Sequence, residues 1–172
     1  MAEHLKETLR ELERLSLAHV RVAVGFSGGK DSLAVLDLAT KHFKEVVPYF
    51  YYFVPGLRHE ESKLEVAAAR YGLTVRKYPS AGGLDALREG LFCDVHAELE
   101  QLPQMSRRTL YSWIKADTSA TLMMTGDKKS DGPFRRRRMG AMARTGLWDD
   151  LVFPIRDLAQ VGSARLLQVQ SH

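Results

Sequence analysis

The chain has 172 residues, a formal net charge of +4, and 45% hydrophobic and 27% charged residues. That composition fits one globular domain of ordinary size and excludes a chain too polar to build a core. A single cysteine, Cys93, excludes an intramolecular disulfide and a cysteine-based zinc site.

The first fifteen residues, MAEHLKETLRELERL, carry acidic side chains and no apolar core segment, so they do not read as a signal peptide. No apolar run reaches the length of a membrane span, and the expected location is cytoplasmic. Leu5, Leu9, Leu12 and Leu15 recur at helical spacing and predict an amphipathic helix over 1–17. Residues 20–26 form a short β-branched run that predicts a buried strand, followed by a helix over 31–43. A second strand is expected over 45–54, with Pro48 making its start irregular.

Residues 58–72 predict a helix closed by Gly72 at a C-cap position. His59, Glu60 and Glu61 read as an acidic helix start, because neighbouring residues on a helix do not converge on one point. A strand over 73–78, a loop over 79–83 and a helix over 84–91 follow. Residues 106–117 predict a helix with Ser106 as N-cap, on which Arg107 and Arg108 read by default as surface residues, with a secondary anion contact as the alternative for either. A strand over 121–126 leads into a polar segment, helical over 134–143, and a last strand is expected over 151–158. Cys93 reads as a small buried hydrophobe.

Strands alternate with helices throughout. This predicts a three-layer α/β domain spanning 1–172, with its core over about 20–158: a mainly parallel five-stranded sheet with helices on both faces, Rossmann-like in outline. Ligands of such sheets bind outside the carboxyl ends of the strands, near the switch in strand order. Three loops leave strand ends, 26–32, 53–60 and 126–138; the first holds SGGKDS (27–32) and the third holds the charge run.

Paired glycines allow a tight turn that presents backbone N–H groups without a Cβ in the way, and the following helix adds its positive dipole end. Ser27 and Ser32 add hydroxyls and Lys30 a mobile charge, which makes 27–32 a phosphate-binding loop. It fits neither the Walker spacing nor the dinucleotide fingerprint. Lys128, Lys129 and Arg135 to Arg138 are six cations close in sequence. Arg135 and Arg138 share a helix face and suit an oxyanion, while the run as a whole also suits a nucleic-acid backbone.

SGGKDS between a strand and a helix resembles the PP-loop of the ATP pyrophosphatases, which share the adenine nucleotide α-hydrolase-like fold. FVPGLRHEE (53–61), MTGDKKSDGPFRRRRM (124–139) and LVFPIRDL (151–158) are similar to segments of the branch holding phosphoadenosine phosphosulfate (PAPS) reductases and the ATP sulfurylase small subunit. The resemblance implies cleavage of ATP between its α and β phosphates, adenylylation of an acceptor and release of pyrophosphate. It places Ser27, Gly28, Gly29, Lys30 and Ser32 on the β and γ phosphates. Adenine falls beside Tyr52, Phe53 and Val54, and Gly126, Arg135 and Arg138 join the nucleotide site. Lys30, Asp31 and Asp127 are the catalytic candidates. Asp31 either orders the loop or approaches a Mg²⁺, and Asp127 is a Mg²⁺ ligand or general base.

Reductases of this branch use a cysteine near the C-terminus, whereas this sequence ends LLQVQSH. The retained Lys30–Asp31 pair favours adenylyl transfer, with ATP or another adenine nucleotide such as PAPS as ligand. A PAPS or adenylyl sulfate reductase and a non-catalytic nucleotide- or nucleic-acid-binding module stand as alternatives. The acceptor is unidentified, no membrane partner is expected, and a homo-oligomer is compatible with the sequence.

Overall fold

The computed structural model describes residues 2–53, 58–90, 106–145 and 150–157. In chain order the elements are α1 (Ala2–Ala18), β1 (Arg21–Gly25), α2 (Lys30–His42), β2 (Glu45–Tyr52), α3 (Arg58–Ala69), β3 (Arg76–Pro79) and α4 (Ala81–Arg88). Then come α5 (Arg107–Thr118), β4 (Leu122–Met124), a 3₁₀ turn (Lys129–Asp131), α6 (Pro133–Thr145) and β5 (Leu151–Val152). Cys93 and Val54 lie outside the described residues.

The strands pair in parallel in the order β3-β2-β1-β4-β5, as an α/β sheet with covered faces requires. Alternation along β1 divides the core in two. Val22 and Val24 point with Leu122 and Met124 into a cluster with Leu12, Val35, Leu38 and Leu64, which belong to α1, α2 and α3. Ala23 and Met123 point the other way, into a cluster with Tyr49, Leu110, Ile114 and Met139 under α5 and α6. Strand order runs one way from β1 to β2 and the opposite way from β1 to β4, which puts the switch point between the ends of β1 and β4.

Pro48 does not make the start of β2 irregular. It sits in register opposite Val24. Glu45 donates to Val20 O and Tyr49 O accepts from Phe26 N, so odd-numbered residues of β2 hydrogen-bond towards β1. Pro48 therefore turns its missing N–H towards the β3 side, where pairing begins only at Tyr49↔Arg76.

Other boundaries moved for identifiable reasons. The expected C-cap at Gly72 is a Schellman closure: Gly72 has φ +69°, its N–H donates to Ala69 O at 3.0 Å, and Leu73 N–H donates to Ala68 O at 3.1 Å. Residues 73–75 were expected in β3 but join no ladder; Val75 is buried as coil instead. The loop expected over 79–83 is already helix from Ala81, because Ser80 caps it through Gly83 N–H to Ser80 Oγ at 2.9 Å. Pro133 opens α6 at the position where a proline is best tolerated. The strand expected over 151–158 ends at Val152, just before Phe153 and Pro154. Among the described residues no helix is long and apolar enough to cross a membrane.

Helix α1 is part of the core. Leu12 and Leu15 are buried, and Thr8 Oγ1 donates to Pro154 O at 2.9 Å, while Leu17 is 90% exposed. Leu12→Ala should therefore lower the unfolding free energy by about 2–4 kcal/mol, and Leu17→Ala should change it by less than about 0.5 kcal/mol. Urea titration of both variants decides this; equal effects would mean that α1 does not dock as described.

Candidate functional site

The loop leaving β1 is shaped by three devices. Phe26 N–H donates to Tyr49 O at 2.7 Å, carrying the ladder one residue past the strand before the chain turns. Gly28 has φ +74°, and a Cβ there would stand 2.9 Å from Leu64 Cδ2 of α3, so both the conformation and the space call for glycine. Gly29 then caps α2 in an extended conformation without a side-chain cap, and Gly29, Lys30, Asp31 and Ser32 of this first turn line the cavity described below.

Ser32 holds the turn together. Its hydroxyl donates to Gly29 O at 2.9 Å and accepts from Ser27 N and Ser27 Oγ, both at 3.2 Å. A hydroxyl has one proton, so in this arrangement Ser32 shapes the loop and Ser27 faces outward, exposed.

The loop leaving β4 presses against this turn. A Cβ on Gly126 would lie 3.0 Å from Asp31 C and from Ser32 N, so only glycine lets the β4 loop approach the first turn of α2 this closely. Two residues on, Lys128 is fully buried. Its Nζ lies 2.8 Å from Asp31 Oδ2 and 4.0 Å from Asp131 Oδ1. The contact with Asp31 is ionic, because the angle falls outside that of an aligned hydrogen bond. Asp131 Oδ2 also accepts from Lys128 N at 2.9 Å and from Arg135 Nη1 at 2.8 Å. Arg135 Nη1 reaches Asp127 Oδ1 at 3.0 Å, and Asp127 Oδ2 accepts from Thr125 Oγ1 at 3.0 Å.

The basic run thus divides. Lys128 is interior, Lys129 pairs with Asp157, and Arg135 pairs with Asp127 and Asp131. Arg136 and Arg137 are exposed. Arg138 belongs to α6, and its side chain lies outside the described residues.

A cavity of about 660 Å³ opens where these loops meet. Ser27, Gly29, Lys30, Asp31, Ser32, Gly126, Asp127 and Arg135 line one half of it. Gly28 shapes the turn behind the wall. Tyr52 and Phe53 are not among the described lining residues; Phe53 lies against the start of α4, where a Cβ on Gly83 would meet Phe53 O at 2.9 Å. Phe50 and Tyr51 reach the cavity in their place.

The sequence reading missed the other half. Tyr49, Tyr51 and Tyr111 line it, with Arg107 and the capped start of α4 (Ser80, Ala81 and Gly82). Tyr49 and Tyr51 were detectable as alternate residues of a strand, which share a face. Arg107 read as a surface residue, yet it stands at the cavity. The Tyr49 and Tyr51 rings meet edge-on at 5.2 Å between centroids, and Tyr51 and Tyr111 at 6.5 Å. The Tyr49 hydroxyl is buried, with the Tyr51 side chain beside it. Burial is the first cause that pushes the Tyr49 and Tyr51 hydroxyls well above the usual tyrosine range, with neighbouring tyrosines adding to it. Burial and the hydrogen bond to Asp117 do the same for Tyr78.

No family model and no curated protein matches the chain by sequence. Among solved structures, the chain is similar to the NH3-dependent NAD synthetase from Campylobacter jejuni subsp. jejuni NCTC 11168 in complex with the nitrate ion. The identity is 16% and the TM-score 0.63, with 99% of this chain and 73% of that chain covered. The chain shares its fold. The expected doubly covered α/β architecture is thereby met in a solved enzyme as well as in the strand order.

Two outcomes follow from the site. A raised tyrosine value means that the folded state keeps a proton the unfolded chain releases, so the stabilisation is full below pH 10 and falls as pH rises beyond it. In an ultraviolet titration Tyr49, Tyr51 and Tyr78 should ionise only together with alkaline unfolding; ionisation of every tyrosine near pH 10 with the fold intact would contradict their burial. Lys128→Met should lower stability by on the order of 2–3 kcal/mol, because it leaves Asp31 without its buried counter-charge. An unchanged melting temperature would show that the pair does not hold the loops.

Proposed function

We propose that the chain is an ATP-binding PP-loop enzyme that cleaves ATP between the α and β phosphates and adenylylates an acceptor, releasing pyrophosphate. The observation that carries this reading is the turn at Gly28 and Gly29. It brings the N-terminal turn of α2, with Lys30, to a cavity on the switch point of a parallel sheet. The fold shared with an NH3-dependent NAD synthetase supports the reading, as does the resemblance of SGGKDS to the PP-loop. The closer resemblance to the PAPS reductase and ATP sulfurylase small-subunit branch is the finer part of the proposal.

In this reading Ser27, Gly28, Gly29 and Lys30 receive the β and γ phosphates, and Ser32 keeps the loop in the shape that receives them. An acceptor oxygen attacks the α-phosphorus, the bond to the bridging oxygen breaks, and pyrophosphate leaves on the loop. Catalysis of such a step consists of positioning and of neutralising spreading negative charge. Lys30 supplies one positive charge, and Arg135 a second that Asp127 and Asp131 already orient. The adenine lies towards the end of β2, against Phe50 and Tyr51 rather than Tyr52 and Phe53.

Mg²⁺ fits the donors in one respect. Two carboxylates, Asp31 and Asp127, reach the cavity, and Mg²⁺ in phosphate sites takes one or two carboxylates with phosphate oxygens and water. Among the described residues no group of three His, Cys, Asp or Glu side chains is placed to hold a metal, so the ion would arrive with the nucleotide. When bound it neutralises phosphate charge. Asp127 is the second candidate for proton transfer from the acceptor, held by Thr125 and Arg135.

Incubation with α-labelled ATP, Mg²⁺ and a panel of acceptors should give AMP or an adenylylated product together with pyrophosphate; ADP and phosphate alone would overturn the proposal. Lys30→Ala should weaken ATP binding at least tenfold more than AMP binding in calorimetry, a loss worth about 1.4 kcal/mol or more. Equal losses for the two nucleotides would mean that the loop does not hold the β and γ phosphates.

A further inference from the structure

Two helix starts reach the cavity and carry further arginines. Arg107, which lines it, and Arg108 open α5, and Arg136 and Arg137 follow the lining residues Phe134 and Arg135 on the first turns of α6. All four are exposed, and none has an acidic partner among the described residues. The contrast is with Lys128, Lys129 and Arg135 of the same basic run, each of which is paired with aspartates.

The start of α6 also brings an aromatic side chain to the cavity in an unusual place. Phe134 lines the cavity while remaining 73% exposed. Tyr49, Tyr51 and Tyr111 line the same cavity. A planar group would find an exposed ring on Phe134 and further tyrosine side chains inside.

We propose that these two helix starts bind single-stranded nucleic acid. Phosphates lie on their arginines and an unstacked base lies on Phe134, in the cavity that the tyrosines also line. Cations distributed over two helix starts suit a linear polyanion better than one compact anion. The exposed ring selects a strand whose base faces are free, because a duplex keeps those faces stacked on one another. As a binding surface this stands without any nucleotide chemistry. As the identity of the acceptor it rests on the ATP reading above, since the base would share a cavity with the phosphate loop.

The test is fluorescence anisotropy with a labelled single-stranded RNA of roughly 12 nucleotides, in the absence of ATP. Binding should weaken with salt, with a log–log slope of about −2 to −3 for three or four phosphate contacts. The double variant Arg136→Ala, Arg137→Ala should make that slope shallower by about 1.4. Phe134→Ala should weaken binding roughly tenfold with the slope unchanged. A duplex of the same sequence and poly-glutamate should compete poorly.

Absence of binding at about 50 mM salt overturns the proposal. So does equal competition by duplex or poly-glutamate, or a Phe134→Ala variant that binds like the parent. These side chains are exposed, and circular dichroism of each variant verifies that it folds. ATP binding measured in parallel separates the two readings: RNA binding lost with ATP binding intact sinks this inference alone, and the reverse sinks only the ATP reading.

Discussion

A lysine ammonium shut away from water must be neutralised where it lies, and this requirement organises the whole carboxyl edge of the sheet. Lys128 meets it with Asp31, one residue inside α2. Removing Asp31 would leave the buried ammonium with the more distant Asp131, at 4.0 Å, as its carboxylate among the described residues, which is more costly than the pair itself. The ion pair therefore ties the loop after β4 to the helix that follows β1. Gly126 makes the tie possible by letting the two backbones approach so closely that a Cβ there would stand 3.0 Å from Asp31 C and Ser32 N. The rest of the loop is built outward from there, through Asp131 to Arg135 and on to Asp127.

The same electrostatics sorts a basic segment into different duties. Carboxylates hold the cations nearest the sheet in fixed positions, while Arg136 and Arg137 remain in solvent. The cavity that results has two chemically distinct halves. One is backbone amide, lysine, aspartate and arginine, suited to phosphate. The other is tyrosine with hydroxyls kept protonated by burial, suited to a planar group. A site for two reactants needs such a contrast, because each half then discriminates against the other's ligand.

Much of this was legible in the sequence, because the determinants are local. β-branched runs mark β1 and β2, and the glycine pair marks the tight turn between β1 and α2. Gly72 and Ser106 announce a helix end and a helix start, and the structure uses both as caps. What was not legible is what depends on distant partners. Lys128 and Lys129 are adjacent letters of the same kind, and only the fold buries one and exposes the other. Arg107 joins the cavity because α5 packs over Tyr49 and Ala23, a contact that spacing within α5 cannot reveal. Tyr51 replaces Tyr52 at the cavity because β2 ends with its odd-numbered side chains under α5. Ser80 was hidden by the two glycines after it, whose low helix propensity outweighed the capping signal.

The strand order also has a consequence for how the chain comes off the ribosome. β1 pairs with β2 across one helical crossover, so the β3-β2-β1 half of the sheet can assemble from the first eighty or so residues. The opposite edge of β1 pairs only with Leu122–Met124. Until that segment has been synthesised, Val22 to Val24 present an open, apolar edge to other nascent chains. The same late segment carries Lys128, so the pairing that covers this edge of β1 also brings the glycine turn its ionic anchor at Asp31.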